Sequence, residues 1–252
     1  MSRTKRRSVR TPTNPPGLRD LPFEVPAVTG AQKRRARAID KALAERYPDA
    51  ACALHYSSPH ELLIATILSA QTTDVNVNKA TPRLFADFST PSAFAHAEAK
   101  DLEPYVRSLG FFRNKATAIQ CAMQSVVEEF DGEVPCTMEA LLTLRGVARK
   151  TANVVLGNVF GVNDGFVVDT HIQRISQRFD IAPQGANATV VERWLCALFP
   201  REHWCDLSHR FIAHGRAVCK ARHWRCESDA ICKRFCVNAR RSAPAAGVSG
   251  HR

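Results

Sequence analysis

At 252 residues, with 45% hydrophobic and 23% charged residues, the chain has enough apolar surface for one large folded domain or two modest ones. The longest apolar run, in "ELLIATILSAQ", is far short of a bilayer span, and no apolar segment follows the basic N-terminus; neither a membrane protein nor a secretory signal is expected, and cytoplasmic residence follows by default. A formal net charge of +11 favours a polyanionic partner over a neutral one.

Residues 1–30 are rich in Pro, Arg and Thr and carry Arg3, Lys5, Arg6, Arg7, Arg10 and Arg19 against Asp20 and Glu24. They are expected to form a disordered basic extension, and residues 240–252, with Arg240, Arg241 and Arg252, a flexible tail. Tails of this kind support only weak, salt-sensitive binding to nucleic acid.

From Ala31 onward the apolar residues follow helical periodicity. "AQKRRARAIDKALAERY" places Ala36, Ile39 and Leu43 near one face of an amphipathic helix. "SPHELLIATILSA" is apolar nearly all round, so a buried helix is expected, opened by Ser58, Pro59 and Glu61 as a capping box. Further helices are expected at 74–86, 91–97, 99–108, 113–130, 137–144, 149–160, 170–178, 188–198 and 206–218. No stretch alternates with period two, and the fold class is all-α.

Thr137 can cap a short helix, "MEALLTL", that stops at Arg145-Gly146-Val147-Ala148 in "TLRGVARKTANVV", residues 143–155, where a second helix opens with Arg149 and Lys150. The first N–H groups of a helix have no internal partners and suit a phosphate oxygen, while a glycine lets the backbone approach closely. Two short helices around a glycine are also an ordinary structural corner, so this stretch alone does not choose between them. The next segment, "NVFGVNDGFVVDTHIQRISQRF", ends a helix at Gly161 and opens another at Asp169, a good N-cap residue.

Together, "RKTANVV", a glycine-containing loop and "VDTHIQR" closely resemble the endonuclease III family of DNA repair glycosylases. "ATILSAQTTD" at 65–74, "SLGFFRNKA" at 108–116, "GEVP" at 132–135 and "LSHRFIAHGRAVC" at 207–219 match it in the same order, so the resemblance spans residues 31–239. It implies a two-lobed helix-hairpin-helix glycosylase fold, with a six-helix lobe at 52–162 and a cluster lobe formed by 31–51 and 163–239. Lys150 stands at the family's amine nucleophile and Asp169 at its catalytic carboxylate. The implied activity is that of a DNA glycosylase and AP lyase that removes oxidised pyrimidines from damaged double-stranded DNA, acting as a monomer. A lysine must be neutral to attack C1′ of a nucleotide. A helix start, a neighbouring cation such as Arg149 and desolvation under DNA all favour the neutral amine.

By the same resemblance, Gln71 and Phe111 fill the gap left by an extruded nucleotide, with an aromatic at 111 where an aliphatic is common. Gly146, Val147, Ala148 and Arg149 form the DNA-binding turn. The family's hairpin has proline where this chain has Arg145 and glycine where it has Ala148. Ala148 is therefore expected to be strained at positive φ or to shift the turn, with Arg145 adding a charge near phosphate.

Nine cysteines are many for a chain with no export signal. Cys219, Cys226, Cys232 and Cys236 are clustered in "CKARHWRCESDAICKRFC", which suits zinc or an iron–sulfur cluster. The resemblance implies a [4Fe–4S] cluster, with zinc as its competitor. The intervening residues number six, five and three, and Asp229 falls where the family's third cysteine would be by direct counting. Lys220, Arg222 and Arg225 in the same loop are expected to face phosphate. Two rivals stay open: a mismatch adenine glycosylase, which shares the scaffold without the lysine, and a DNA-binding paralogue with little catalysis.

Overall fold

The computed structural model describes residues 14–222 and 226–237, and among these every regular element is helical. In chain order the helices are α1 (Gly30–Arg46), α2 (Pro59–Leu68), α3 (Asp74–Asp87), α4 (Pro91–His96), α5 (Ala99–Val106), α6 (Phe112–Glu129), α7 (Met138–Thr143) and α8 (Arg149–Val155). A π-helical turn, Leu156–Phe160, continues α8, and α9 (Thr170–Arg178), α10 (Ala188–Leu198), α11 (Trp204–Ala217) and α12 (Ala230–Phe235) follow. No helix among the described residues is long and apolar enough to cross a membrane.

Most of these helices begin where a short polar side chain can accept from an orphan amide. Thr73, Thr90, Thr137, Asp169, Asn187 and Asp229 all do so. Ser58 caps α2 as expected, but the capping box is only half formed. The Glu61 carboxylate instead accepts from Ser57, at 2.6 Å from its backbone N and 2.7 Å from its Oγ. The reciprocal box occurs at α1, between Thr29 and Gln32.

The helices enclose two apolar cores. One is built on α2, whose Leu62, Leu63, Ile64, Ala65 and Leu68 are all fully buried, with Phe94 of α4, Ile119 and Met123 of α6 and Leu156 around them. The other joins α1 to α9–α12 through Ile39, Leu43, Ile172, Ile175, Trp204 and Phe211. Each large apolar side chain so buried stabilises by about 1.5–3 kcal/mol. The chain thus leaves the second core after α1, completes the first, and returns after the π turn.

Residues 14–29 do not form the expected disordered extension. Asn14 donates to the carbonyls of Leu18 and Phe23 and accepts from the amide of Val25, while Leu21 is 1% exposed in the second core. Asp20 pairs with Arg201 at 2.6 Å. One asparagine satisfying three backbone groups, with an apolar anchor four residues before Val25, outweighs the Pro/Arg composition. Residues 1–13 and the tail at 240–252 lie outside the described residues.

Candidate active site and nucleic-acid interface

The turn between α7 and α8 depends on one glycine. Gly146 has φ +83°, and a Cβ there would stand 3.0 Å from the Ala118 Cβ and 3.5 Å from the Ile67 Cγ2. Left-handed backbone and lack of space both demand glycine. Val147 then packs its side chain into the first core, 8% exposed. Ala148 is not strained: φ −101° and ψ 169° are ordinary extended backbone. The turn needs only one left-handed residue, already supplied by Gly146, and an N-cap residue is normally extended. Because alanine has no acceptor, the first turn of α8 has no side-chain cap, so its amides are left for another partner. Arg145 is exposed and directs its guanidinium to the Cys121 Sγ of α6, at 3.5 Å.

Lys150 and Asp169 start two different helices, α8 and α9, and both line a single cleft of about 740 Å³. Gln71 lines the same cleft. One carboxylate oxygen of Asp169 accepts from the Ile172 amide at 2.8 Å, which fixes the carboxylate at the helix start. Arg149 does not join them. Its Nε donates to Glu192 at 3.0 Å, another guanidinium nitrogen donates to the Asp164 carbonyl at 2.7 Å, and the group stacks on the Phe23 ring. Adjacent positions on a helix point about 100° apart, so Lys150 can face the cleft while Arg149 ties α8 to the second core.

Several cleft residues carry no signal that sequence reading caught. Asn158, Cys205 and His209 line the wall near Lys150 and Asp169. Burial pushes the Cys205 thiol up to about 11 and keeps His209 below the usual histidine range, so both are neutral near pH 7. Lys115 is another. It is 5% exposed, its ammonium donates to Thr72 Oγ1 at 2.9 Å beside Gln71, and desolvation lowers its pKa. A lysine at an apolar position of an amphipathic helix was the only available hint.

Gln71 and Phe111 share an unusual backbone state. Both are exposed, and both are left-handed, with φ 54° and 58°. Among the described residues only Asp131 and Asp180 are other non-glycine residues at positive φ. Phe111 is 65% exposed at the start of α6 and does not line the cleft. An exposed phenyl ring on strained backbone contributes little to stability and is available for a partner.

The four clustered cysteines are all buried, none more than 1% exposed. Asp229 accepts from the Cys232 amide at 2.9 Å and so caps α12, a helix that the sequence pattern did not reveal. Cys232 lies within α12, and Cys236 is the extended residue that ends it. Donors already face the sulfurs. Arg178 donates to Cys219 Sγ at 3.2 Å, and His214 Nε2 lies 3.4 Å from Cys232 Sγ, with Tyr47 OH 3.1 Å from its other nitrogen. A hydrogen bond from Cys232, assisted by Arg178, holds the Cys219 thiol down to about 6. Lys220 and Arg222 are exposed where this loop begins; Arg225 lies outside the described residues.

Residues 64–201 match the HhH-GPD superfamily of base excision DNA repair proteins. Endonuclease III of Synechocystis is 50% identical over 192 residues, covering 76% of this chain and 87% of that protein. Endonuclease III of Escherichia coli K12 is 44% identical over 189 residues, or 75% of this chain and 89% of the relative. The chain belongs to the endonuclease III family. A solved structure of a trapped endonuclease III–DNA covalent intermediate superposes with a TM-score of 0.78 at 39% identity, over 85% of this chain and 99% of that one. The matched 64–201 segment contains the hairpin, Lys150 and Asp169 but stops short of the cysteine loop.

Proposed function

We propose that the protein excises oxidised pyrimidines from double-stranded DNA and then cuts the strand at the resulting AP site, both steps occurring in the cleft that Lys150 and Asp169 share. The Lys150 amine, once neutral, attacks C1′ as the damaged base departs and takes up a proton, and Asp169 stabilises the cationic sugar. The adduct opens to an iminium. Loss of the C2′ proton expels the 3′ phosphate, breaking the strand by β-elimination, and water releases the lysine. Gln71 and Phe111 enter the duplex from opposite sides of the extruded nucleotide, which suits their exposure and raised backbone energy. The uncapped amides of α8, with Gly146 to Ala148, meet a phosphate of the damaged strand. Arg149 is assigned to holding α8 against Glu192 rather than to DNA.

Residues 52–162 form one lobe of this enzyme, and 31–51 with 163–239 the other, with duplex DNA lying across the cleft of a monomer. The donor set of four buried thiols, with Arg178 and His214 directed at sulfur, fits a [4Fe–4S] cluster held by Cys219, Cys226, Cys232 and Cys236. Such a cluster would supply structural rigidity rather than redox chemistry, keeping Lys220 and Arg222 in one arrangement toward phosphate.

The observation that carries this reading is that an amine and a carboxylate from separate helix starts line one cleft. Borohydride trapping tests it. Wild-type protein should become covalently linked to duplex DNA containing an AP site, and Lys150→Ala should abolish the adduct while still binding the duplex. An unchanged adduct with the alanine variant rules Lys150 out as the nucleophile.

A further inference from the structure

One wall of the cleft is built by a close approach of two helices. The π turn lies directly on α11: a Cβ on Gly157 would be 2.9 Å from the Cys205 Sγ and 3.2 Å from its Cβ. A side chain at 157 would crowd Cys205, and the close approach that glycine permits accompanies the contact of Asn158 with His209. Widened turns of this kind are frequent at functional sites because they re-aim one side chain out of helical register.

The hydrogen bonds fix the polarity of this pair. The Val154 carbonyl can only accept, so the group facing it at 2.8 Å is the Asn158 amide nitrogen. The Asn158 carbonyl oxygen therefore faces His209 Nε2, also at 2.8 Å, and that nitrogen must carry a proton to donate. Burial disfavours the imidazolium form, so the ring is neutral and Nδ1 holds a lone pair. Among the described residues Nδ1 has no hydrogen-bond partner. The thiol of Cys205, 3.7 Å from Nε2, completes a neutral wall.

We infer that Asn158 and His209 read the extruded base, with His209 Nδ1 as an acceptor that selects pyrimidines carrying a proton on N3. Thymine- and uracil-derived lesions present an N3–H donor between two carbonyls. Cytosine-derived lesions present an unprotonated N3, which meets the Nδ1 lone pair with like polarity. A buried polar group left unpaired by the wrong ligand is a strong discriminator. The pair is thus a specificity element, distinct from Lys150 and Asp169, and the inference rests on the glycosylase reading above.

The test compares single-turnover rates on three duplexes, containing thymine glycol, 5-hydroxycytosine and a preformed AP site, using the full-length protein as isolated with its cofactor. The AP site has no base to read. Wild type should release thymine glycol faster than 5-hydroxycytosine. For His209→Ala and Asn158→Ala, the ratio of thymine glycol release to AP-site cleavage should fall about ten-fold, and the preference between the two bases should shrink. His209→Gln, which keeps an N–H for Asn158 but has no ring acceptor, should show the same fall and serves if an alanine variant does not fold. An equal loss on all three substrates makes the pair a structural brace and overturns the inference, as does an unchanged ratio. If wild type cleaves neither lesion nor AP site, the enzyme reading fails and takes the inference with it.

Discussion

Replacing Gly146 with alanine tests the hairpin most directly. At φ +83° an L-residue costs roughly 1–2 kcal/mol relative to glycine. The new Cβ also meets the Ala118 Cβ at 3.0 Å, a carbon with no flexible end to swing away. The first core must give by a few tenths of an ångström there, adding about 1 kcal/mol. A total of roughly 2–3 kcal/mol in a chain of this size corresponds to a fall in Tm of about 4–10 °C. Because Gly146 aims α8, the same change should also move Lys150 and slow AP-site cleavage beyond what stability alone predicts. Ala148→Gly is the internal control: at φ −101° the glycine relieves no strain, so neither Tm nor cleavage should improve by more than a small margin. Thermal denaturation by circular dichroism, paired with single-turnover cleavage at a temperature where both variants are folded, separates the two effects. A Gly146→Ala variant within 1 °C of wild type, or an Ala148→Gly variant that gains several-fold in cleavage, would refute this account of the turn.

Removing residues 1–28 should lower Tm by several degrees, because Leu21 leaves the second core at a cost of about 2 kcal/mol and Arg201 loses Asp20; an unchanged melting curve would return this segment to a solvated tail. Asp229→Ala removes the α12 cap, worth about 1 kcal/mol, and should speed loss of the broad visible absorbance of the holoprotein on exposure to chelator, whereas Asp229→Asn should largely retain it. Burial holds His209 and His171 below the ordinary histidine pKa, so the unfolded chain takes up protons first as pH falls. Stability is therefore complete above the unfolded value, about 6.5, and declines as pH drops below it. His209→Gln should flatten that decline, measured as Tm between pH 7.5 and 5.

The rest of the fold divides by the range of the interactions involved. Helix positions were legible because periodicity and caps are local: Thr137, Asp169 and the apolar face of α1 are visible within four or five residues of chain. The family was legible because its motifs are short, ordered and chemically specific, and Lys150 and Asp169 followed from them. Arg149 shows where that reach ended. Its place beside Lys150 suggested a shared task, but its partner Glu192 lies 43 residues away and draws the guanidinium to the other core.

The pattern alone also misjudged Ala148, since comparing one residue with another says nothing of which position in the turn must be left-handed; that is settled by the space between Ala118 and Ile67. Asn158 and His209 are 51 residues apart and meet where Gly157 lets the π turn rest on α11. Segment 14–29 looked unstructured by composition, yet three hydrogen bonds and one buried leucine order it against helices that follow much later. What the amino-acid sequence determined by itself was the helices, their starts, the family and which amine and carboxylate to look for in the cleft. These depend on contacts within a few residues or on side-chain chemistry. Only the tertiary structure decided which way each cation points, where the wall of the cleft comes from and whether an irregular segment is anchored. Each of those is a competition between partners distant along the chain, and packing density determines which pair wins.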